Sequence, residues 1–425
     1  MNIEKALFWY MATLSILSVI AWQIVLIRGQ FLDLGFPYNT FIFAPSAHFT
    51  DFTWYNKAVL SWLDNGTFGS AFGYFPVAAY VYLFFYYLYP SAPAYAYLLS
   101  LFLGVCIITS VLGYKLRYLP IARMFWATII LTVLTSYPFM FMFDRGNIEG
   151  VLWILLLLGV ISFIGKYFFV AGFLFSLAAS MKLYPIVFLL LFISYRKYKV
   201  FSLSIFILVI VSILASYGFA GGICNTVSII SKGLSGFIST IVLERQYLNY
   251  DHSLFTIIKQ VIYILNFFSP SDRQMTASMF HYVYLFTVVG IFIILYVQKI
   301  RNLPFLNQLF AVVIACVFLP FISYDYTLIH LYIPWGLFMM FLAYDAESTG
   351  FTTKQALNIL IPCAIIFTPQ SYLIIDSTEY GIGGFGGQVK ALVLLYLLIV
   401  VLKNPMPSDT LFKESHSKSM KVIRL

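Results

Sequence analysis

Charge is what this sequence has least of: Asp, Glu, Lys and Arg make up only 10% of its 425 residues, where a soluble domain carries about 25%. A chain so short of polar side chains cannot cover itself in water, and a soluble fold is excluded. Cysteine is scarce too. Of the four present, Cys106, Cys316 and Cys363 sit within apolar runs and Cys224 in a loop, so neither a disulfide framework nor a metal-ligand spacing follows. The nucleotide, zinc-protease and serine-hydrolase signatures (Walker A loop, zincin helix, G-x-S-x-G elbow) are all missing. So are an internal repeat of the kind that marks many transporters and any polar stretch long enough for a soluble domain.

What the chain has is apolar sequence: 62% of residues are hydrophobic and 20% aromatic. Apolar runs of about 17–25 residues recur, the length a helix needs to cross a bilayer. They are continuous rather than alternating, which favours helices over a barrel. The expected fold class is all-α: a polytopic integral membrane protein with about 11–13 transmembrane helices in a single membrane domain over 1–402, and a basic cytoplasmic tail over 403–425. The first run, from Ala6 to Ile27, is too long for a signal-peptide core and is expected to stay as a membrane helix. A first outer loop follows over about 28–73 and a second outer stretch over about 220–279, whose segment from Ser253 to Phe268 has the mixed face of an interfacial helix.

The net charge of +9 would suit nucleic acid, but the basic residues sit in short clusters between apolar runs: Arg196, Lys197 and Lys199, then Lys299 and Arg301, then Lys403 and the tail. This is the positive-inside pattern, so the charge is read as topology and no nucleic-acid partner is expected. Lys115, Arg117 and Arg123 also call for the inside, yet counting plain spans from an external first loop puts them outside. Two solutions remain open. In one, 74–89 is re-entrant or interfacial and 167–194 splits into two short helices around Lys182 and Pro185, which brings Asp144 and Lys182 to the outer side. In the other, both are single spans and the charge rule is breached. The first is preferred, because loop charge is the stronger signal and Pro185 supplies a break.

Polar residues in or beside a membrane are costly, which makes each a candidate for function. In "AHFTDFTWYNKAVLSWLDNG", Asp51 and Tyr55 share a helical face, with His48 and Lys57 close by, and Phe52 and Trp54 can seat the segment on the bilayer. A carboxylate held there suits a general base; the plainer reading is a solvated loop aspartate. In "MFDRGNIEG", Asp144, Arg145, Asn147 and Glu149 interrupt apolar helices. An arginine so placed can grip a lipid phosphate through its fork; the alternative is an Asp144–Arg145 pair that fixes helix ends. In "SMKLYPIVF", Lys182 and Tyr184 lie deep in an apolar run, Lys182 either as a second phosphate ligand or as a snorkelling structural residue. Asp325, between Tyr324 and Tyr326 at a predicted helix mouth, fits a sugar-binding lip. His330 follows it and is more simply a hydrogen-bonded core residue. Asp251 and His252 end the second outer stretch as weaker candidates.

Taken in order, an acidic residue followed by aromatics, then "YFPVAAYVY", "DRGNIEG" and "KLYPIVF", resembles the membrane-embedded GT-C glycosyltransferases. The closest resemblance is to the polyprenyl-phosphate-sugar-dependent mannosyltransferases of glycosyltransferase family 87. "SYDYTLIHLYIPW" resembles their late block, and the "RGN" and "K-x-YP" pieces also resemble the GPI mannosyltransferase catalytic subunit. The likeness covers most of the chain from about 48 to 345; each motif is short, and their order gives them specificity. It implies an enzyme that transfers a single mannose-like hexose from a polyprenyl-phosphate donor to a lipid or glycan acceptor at the outer membrane face, with inversion. Asp51 would be its catalytic carboxylate and Arg145 and Lys182 its donor-phosphate ligands. His48, Tyr55, Asp144, Asn147, Glu149, Tyr184, His252, Asp325 and His330 would line the substrates. The GPI enzymes carry a D-x-D pair in the first loop, whereas the second position here is Thr53; no cofactor and no metal are expected. A bacterial cytoplasmic membrane is the expected location, since no endoplasmic reticulum retention signal is visible and the lone Asn65-Gly66-Thr67 sequon arises easily by chance. Competing expectations are a lipid or lipid-linked-sugar flippase, which should show matched broken helices, and a polymerase of lipid-linked glycans.

Overall fold

A computed structural model of the protein describes residues 3–31, 49–65, 74–115, 122–220, 222–237, 251–265, 270–344, 349–369 and 386–406. Among these residues the chain is helical and has no strand, only an isolated antiparallel bridge between Asp251 and Tyr324. In chain order the helices are α1 (Ile3–Phe31), α2 (Thr50–Asn65), α3 (Pro76–Leu88), α4 (Pro93–Lys115), α5 (Ala122–Thr135), α6 (Tyr137–Arg145), α7 (Glu149–Ile164) and α8 (Phe168–Met181). After a 3-10 turn over Tyr184–Leu189 come α9 (Leu190–Ser194), α10 (Tyr198–Ala220), α11 (Ile223–Phe237), α12 (Leu254–Leu265), α13 (Pro270–Gln298) and α14 (Phe305–Phe318). A second 3-10 segment over Asp325–Leu331 leads to α15 (Tyr332–Tyr344), α16 (Thr353–Ile366) and α17 (Gly386–Lys403).

Among the described residues, five helical segments are long and apolar enough to cross a membrane: Lys5–Ile24, Tyr198–Gly218, Val283–Asn302, Asp325–Ala343 and Gly386–Lys403. α3 and the first part of α4 pass the test together but bend by 103° at their break, as a broken span or re-entrant loop does. Five shorter apolar segments of 10–17 residues accompany them. The protein is thus an all-α polytopic membrane protein, with fewer unbroken long helices than the apolar runs suggested. Several of those runs are interrupted by local chemistry. The run over 167–194 breaks after Met181, where Lys182 is extended and Pro185 opens the 3-10 turn. A further apolar stretch of the sequence, over about 124–142, breaks at Ser136, two residues before Pro138, which cannot donate to the helical ladder.

The chain divides into two compact units. One comprises Met1–Tyr38, Ile107–Phe141 and Arg245–Leu425; the other comprises Asn39–Cys106 and Met142–Glu244. In the second unit α8 packs between α7 and α10, while α3 packs on α2, α8 and α10. Small residues allow these approaches, as is usual between membrane helices: a Cβ at Gly159 would fall 2.3 Å from the Phe175 ring. The Ser176 hydroxyl donates to the Ser204 carbonyl at 2.7 Å, tying α8 to α10. In the first unit α14 is buried along its whole length, the signature of a helix that is apolar on every side. Its Asn307 is satisfied by the end of α17, donating to the Val401 and Asn404 carbonyls and accepting from the Met406 N–H.

Candidate active site

Within the second unit, five segments bring polar side chains to one place. Asp51 lies in the first turn of α2, where the unpaired N–H groups of a helix start favour a carboxylate. Just before it, Phe49 takes a left-handed conformation with φ 57° and donates its N–H to the Asp144 carbonyl at 2.8 Å. That bond ties the start of α2 to the end of α6. Gly146 permits the approach: its φ is 61° and a Cβ there would lie 3.0 Å from the Phe52 Cβ.

The Asp51 carboxylate is shared. Arg145 pairs with Oδ1 through Nη2, and the Asn147 amide donates to Oδ2 at 2.7 Å. Asn147 is itself held, its side-chain oxygen accepting the Glu149 N–H at 3.1 Å and its carbonyl accepting the Tyr97 hydroxyl. Glu149 then accepts from Lys182 Nζ at 2.5 Å and from the Tyr184 hydroxyl, while Lys182 lies 4.5 Å over the Tyr74 ring. The two carboxylates differ in exposure. Glu149 is fully enclosed, whereas the side chains of Asp51 and Arg145 keep 13% of their surface and Lys182 keeps 12%. Glu149 is therefore closed off, while Asp51, Arg145 and Lys182 each keep part of their surface open.

An aromatic wall backs them. Tyr55 stands 4.3 Å from Tyr74 between ring centroids, and Phe52 stacks on Tyr97 at 5.1 Å. Burial pushes the Tyr55 phenol well above its ordinary value, with Tyr74 adding to the effect; burial and then the nearby Asp51 charge do the same for Tyr74. Both phenols stay protonated at physiological pH and can only donate or accept as neutral groups.

The first unit holds a second polar network, wholly buried. Asp325 Oδ2 accepts from Lys390 Nζ at 2.6 Å and from the Tyr137 hydroxyl at 2.5 Å, and its Oδ1 is 3.3 Å from His252 Nδ1. The other ring nitrogen of His252 meets the Ser323 and Thr327 hydroxyls at 3.1 and 3.3 Å. Asp251 accepts the N–H groups of Ser253 and Ser323, at 3.0 and 2.9 Å.

The sequence matches glycosyltransferase family 87 over residues 72–343, well over half of the chain. The chain belongs to that family. No curated protein and no solved structure matches it. In this glycosyltransferase the matched region contains Arg145, Asn147, Glu149, Lys182 and Tyr184, while Asp51 precedes it.

Of the residues singled out in this glycosyltransferase from sequence, Asp51, Tyr55, Arg145, Asn147, Glu149, Lys182 and Tyr184 converge in one unit, joined there by Asp144 through its backbone. His48 lies outside the described residues. Asp325 departs from its expected place on an open sugar-binding lip: it is fully buried, because Lys390, Tyr137 and His252 take up its oxygens. His252 is enclosed in the same network, and His330 is buried within the 3-10 segment after Asp325. Tyr74, Tyr97 and Lys390 escaped the sequence reading. Lys390 carried a signal, being a lone cation in an apolar run, and Tyr74 opens the quoted "YFPVAAYVY" segment; Tyr97 carried none in a chain with 32 tyrosines.

Proposed function

We propose that this glycosyltransferase moves one mannose-like hexose from a polyprenyl-phosphate donor to a hydroxyl of a lipid or glycan acceptor at the outer face of a bacterial cytoplasmic membrane, with inversion. The observation that carries the reading is the part-exposed Asp51 carboxylate held between Arg145 and Asn147. In the resting chain Arg145 neutralises Asp51. A donor phosphate competes for the guanidinium, whose fork suits phosphate as well as carboxylate, and frees Asp51 as it binds. The acceptor hydroxyl then gives its proton to Asp51 while its oxygen attacks the anomeric carbon from the side opposite the phosphate. The bond from that carbon to the phosphate oxygen breaks, and its electron pair leaves on the phosphate.

A sugar phosphodiester has one negative charge and the departing monoester develops a second. Cations aimed at developing charge lower the barrier, which is the role of Arg145 and Lys182. The aromatic faces of Tyr55 and Tyr74 offer a surface for the hexose. Because the leaving phosphate meets two cations of the chain, and Thr53 stands at the second position of the D-x-D spacing, the transfer is proposed to run without a metal.

The test is to incubate the purified chain with labelled polyprenyl-phosphate mannose and an acceptor extract, before and after treatment with EDTA. Label should pass to a new lipid or glycan one sugar at a time, with equal release of polyprenyl phosphate and an unchanged rate after chelation. Movement of intact donor across a vesicle wall without transfer would point to a flippase instead. Activity lost to EDTA and restored by magnesium or manganese would overturn the metal-free mechanism.

A further inference from the structure

Away from the Asp51 site, the second unit has an open cleft of about 690 Å³ between two loops, one joining α7 to α8 and the other α9 to α10. Lys166, Arg196, Lys197 and Lys199 all line it and are all exposed, and no carboxylate is among its lining residues. Four like charges gathered without a counter-charge raise the local potential and attract an anion. Positive-inside topology accounts for cations in these loops, but it does not call for a shared concavity.

The backbone points the same way. Lys166 and Arg196 both adopt left-handed conformations, φ 65° and 56°, at the position after a helix end that glycine or asparagine usually takes. Each turn closes with the same wide bond, from Tyr167 N–H to the Ser162 carbonyl at 2.8 Å and from Lys197 N–H to the Phe192 carbonyl at 2.7 Å. Two helices, α8 and α10, start at this cleft, and no side chain caps the start of α8. Helix N-termini present N–H groups and partial positive charge to an anion. Lys197 is meanwhile held 4.8 Å over the Phe168 ring. From the cleft wall at Phe169 and Val170 onward, α8 and α10 turn outward a series of apolar side chains, among them Phe173, Leu203 and Phe206.

We propose that this cleft binds the phosphate head of an anionic phospholipid of the cytoplasmic leaflet, with its acyl chains lying along the exposed apolar faces of α8 and α10. The continuity of a basic, aromatic cleft with lipid-facing helix surface distinguishes a lipid from a free phosphate. Nothing in this assignment depends on the sugar, the donor or Asp51.

The test is native mass spectrometry of the full-length chain released from nanodiscs of phosphatidylcholine mixed with phosphatidylglycerol. The wild type should keep phosphatidylglycerol in preference to phosphatidylcholine. The triple variant Lys166→Asn, Arg196→Gln, Lys199→Gln should lose that preference, and the control Lys299→Gln, Arg301→Gln should retain it. Lys166→Asn alone serves as a second variant, because asparagine tolerates the left-handed backbone; it should lower retention several-fold in a folded chain. Equal retention by all variants would overturn the site, and equal loss in the control would reduce it to diffuse surface attraction. Binding of inorganic phosphate as tight as that of short-chain phosphatidylglycerol would overturn the lipid assignment.

Discussion

Asp51→Asn is expected to cut turnover by about 10²- to 10⁴-fold, the usual worth of general-base action, in a chain that still folds. Asparagine keeps the shape of the side chain and can still accept from the Asn147 amide, so the hydrogen bond at 2.7 Å has a successor. What goes is the negative charge that holds Arg145 and accepts the proton. The split between kcat and KM separates the roles. If Arg145 serves both Asp51 and the donor phosphate, removing the carboxylate leaves the guanidinium to the donor, and KM for the donor should hold or fall while kcat collapses. Arg145→Gln should behave in the opposite sense on donor binding, raising KM, because it removes the fork from the phosphate side. Steady-state kinetics with a polyprenyl-phosphate sugar measures both. Wild-type turnover in Asp51→Asn would return this residue to a solvated helix-start aspartate and sink the assignment.

Much of this polar cluster is legible in the sequence, for a physical reason. Ionisable residues at membrane depth are expensive, so "DRGNIEG" and Lys182 stood out against their apolar surroundings. The break after Met181 was legible because Pro185 follows it. The pairings were not. Reading along the chain offered Asp144 as the ion-pair partner of Arg145 if the arginine did not serve a phosphate; it could not show that the guanidinium reaches Asp51, 94 residues away, or that Lys182 reaches Glu149 across 33. Spacing rules see only partners on the same helix, whereas these bonds are made by the packing of separate helices. The burial of Asp325 was hidden for the same reason. Flanking tyrosines suggested a sugar lip, but the cation that buries it, Lys390, lies 65 residues on.

Lys390→Met should be strongly destabilising, by about 3–5 kcal/mol, the usual cost of stripping one partner from a buried ion pair. Asp325 is fully enclosed and cannot turn to water. Losing the ammonium at 2.6 Å takes away the cation and leaves the Tyr137 hydroxyl and His252 to hold the charge. The double variant Asp325→Asn, Lys390→Met, set beside each single variant, should recover most of that loss, since it removes both charges and nearly keeps both shapes; buried pairs replaced together are often neutral. Thermal unfolding of the detergent-purified chain gives the cycle, with an interaction energy of about 0.5–3 kcal/mol expected for contacting residues. The double variant also separates two roles for Asp325. If this network serves to join the 3-10 segment to α17 and the start of α12, a stable double variant should transfer sugar at a rate near that of the wild type. A chain that is stable yet inactive would mean that the Asp325 charge itself acts on substrate, and the sugar-binding role first expected of it would be restored.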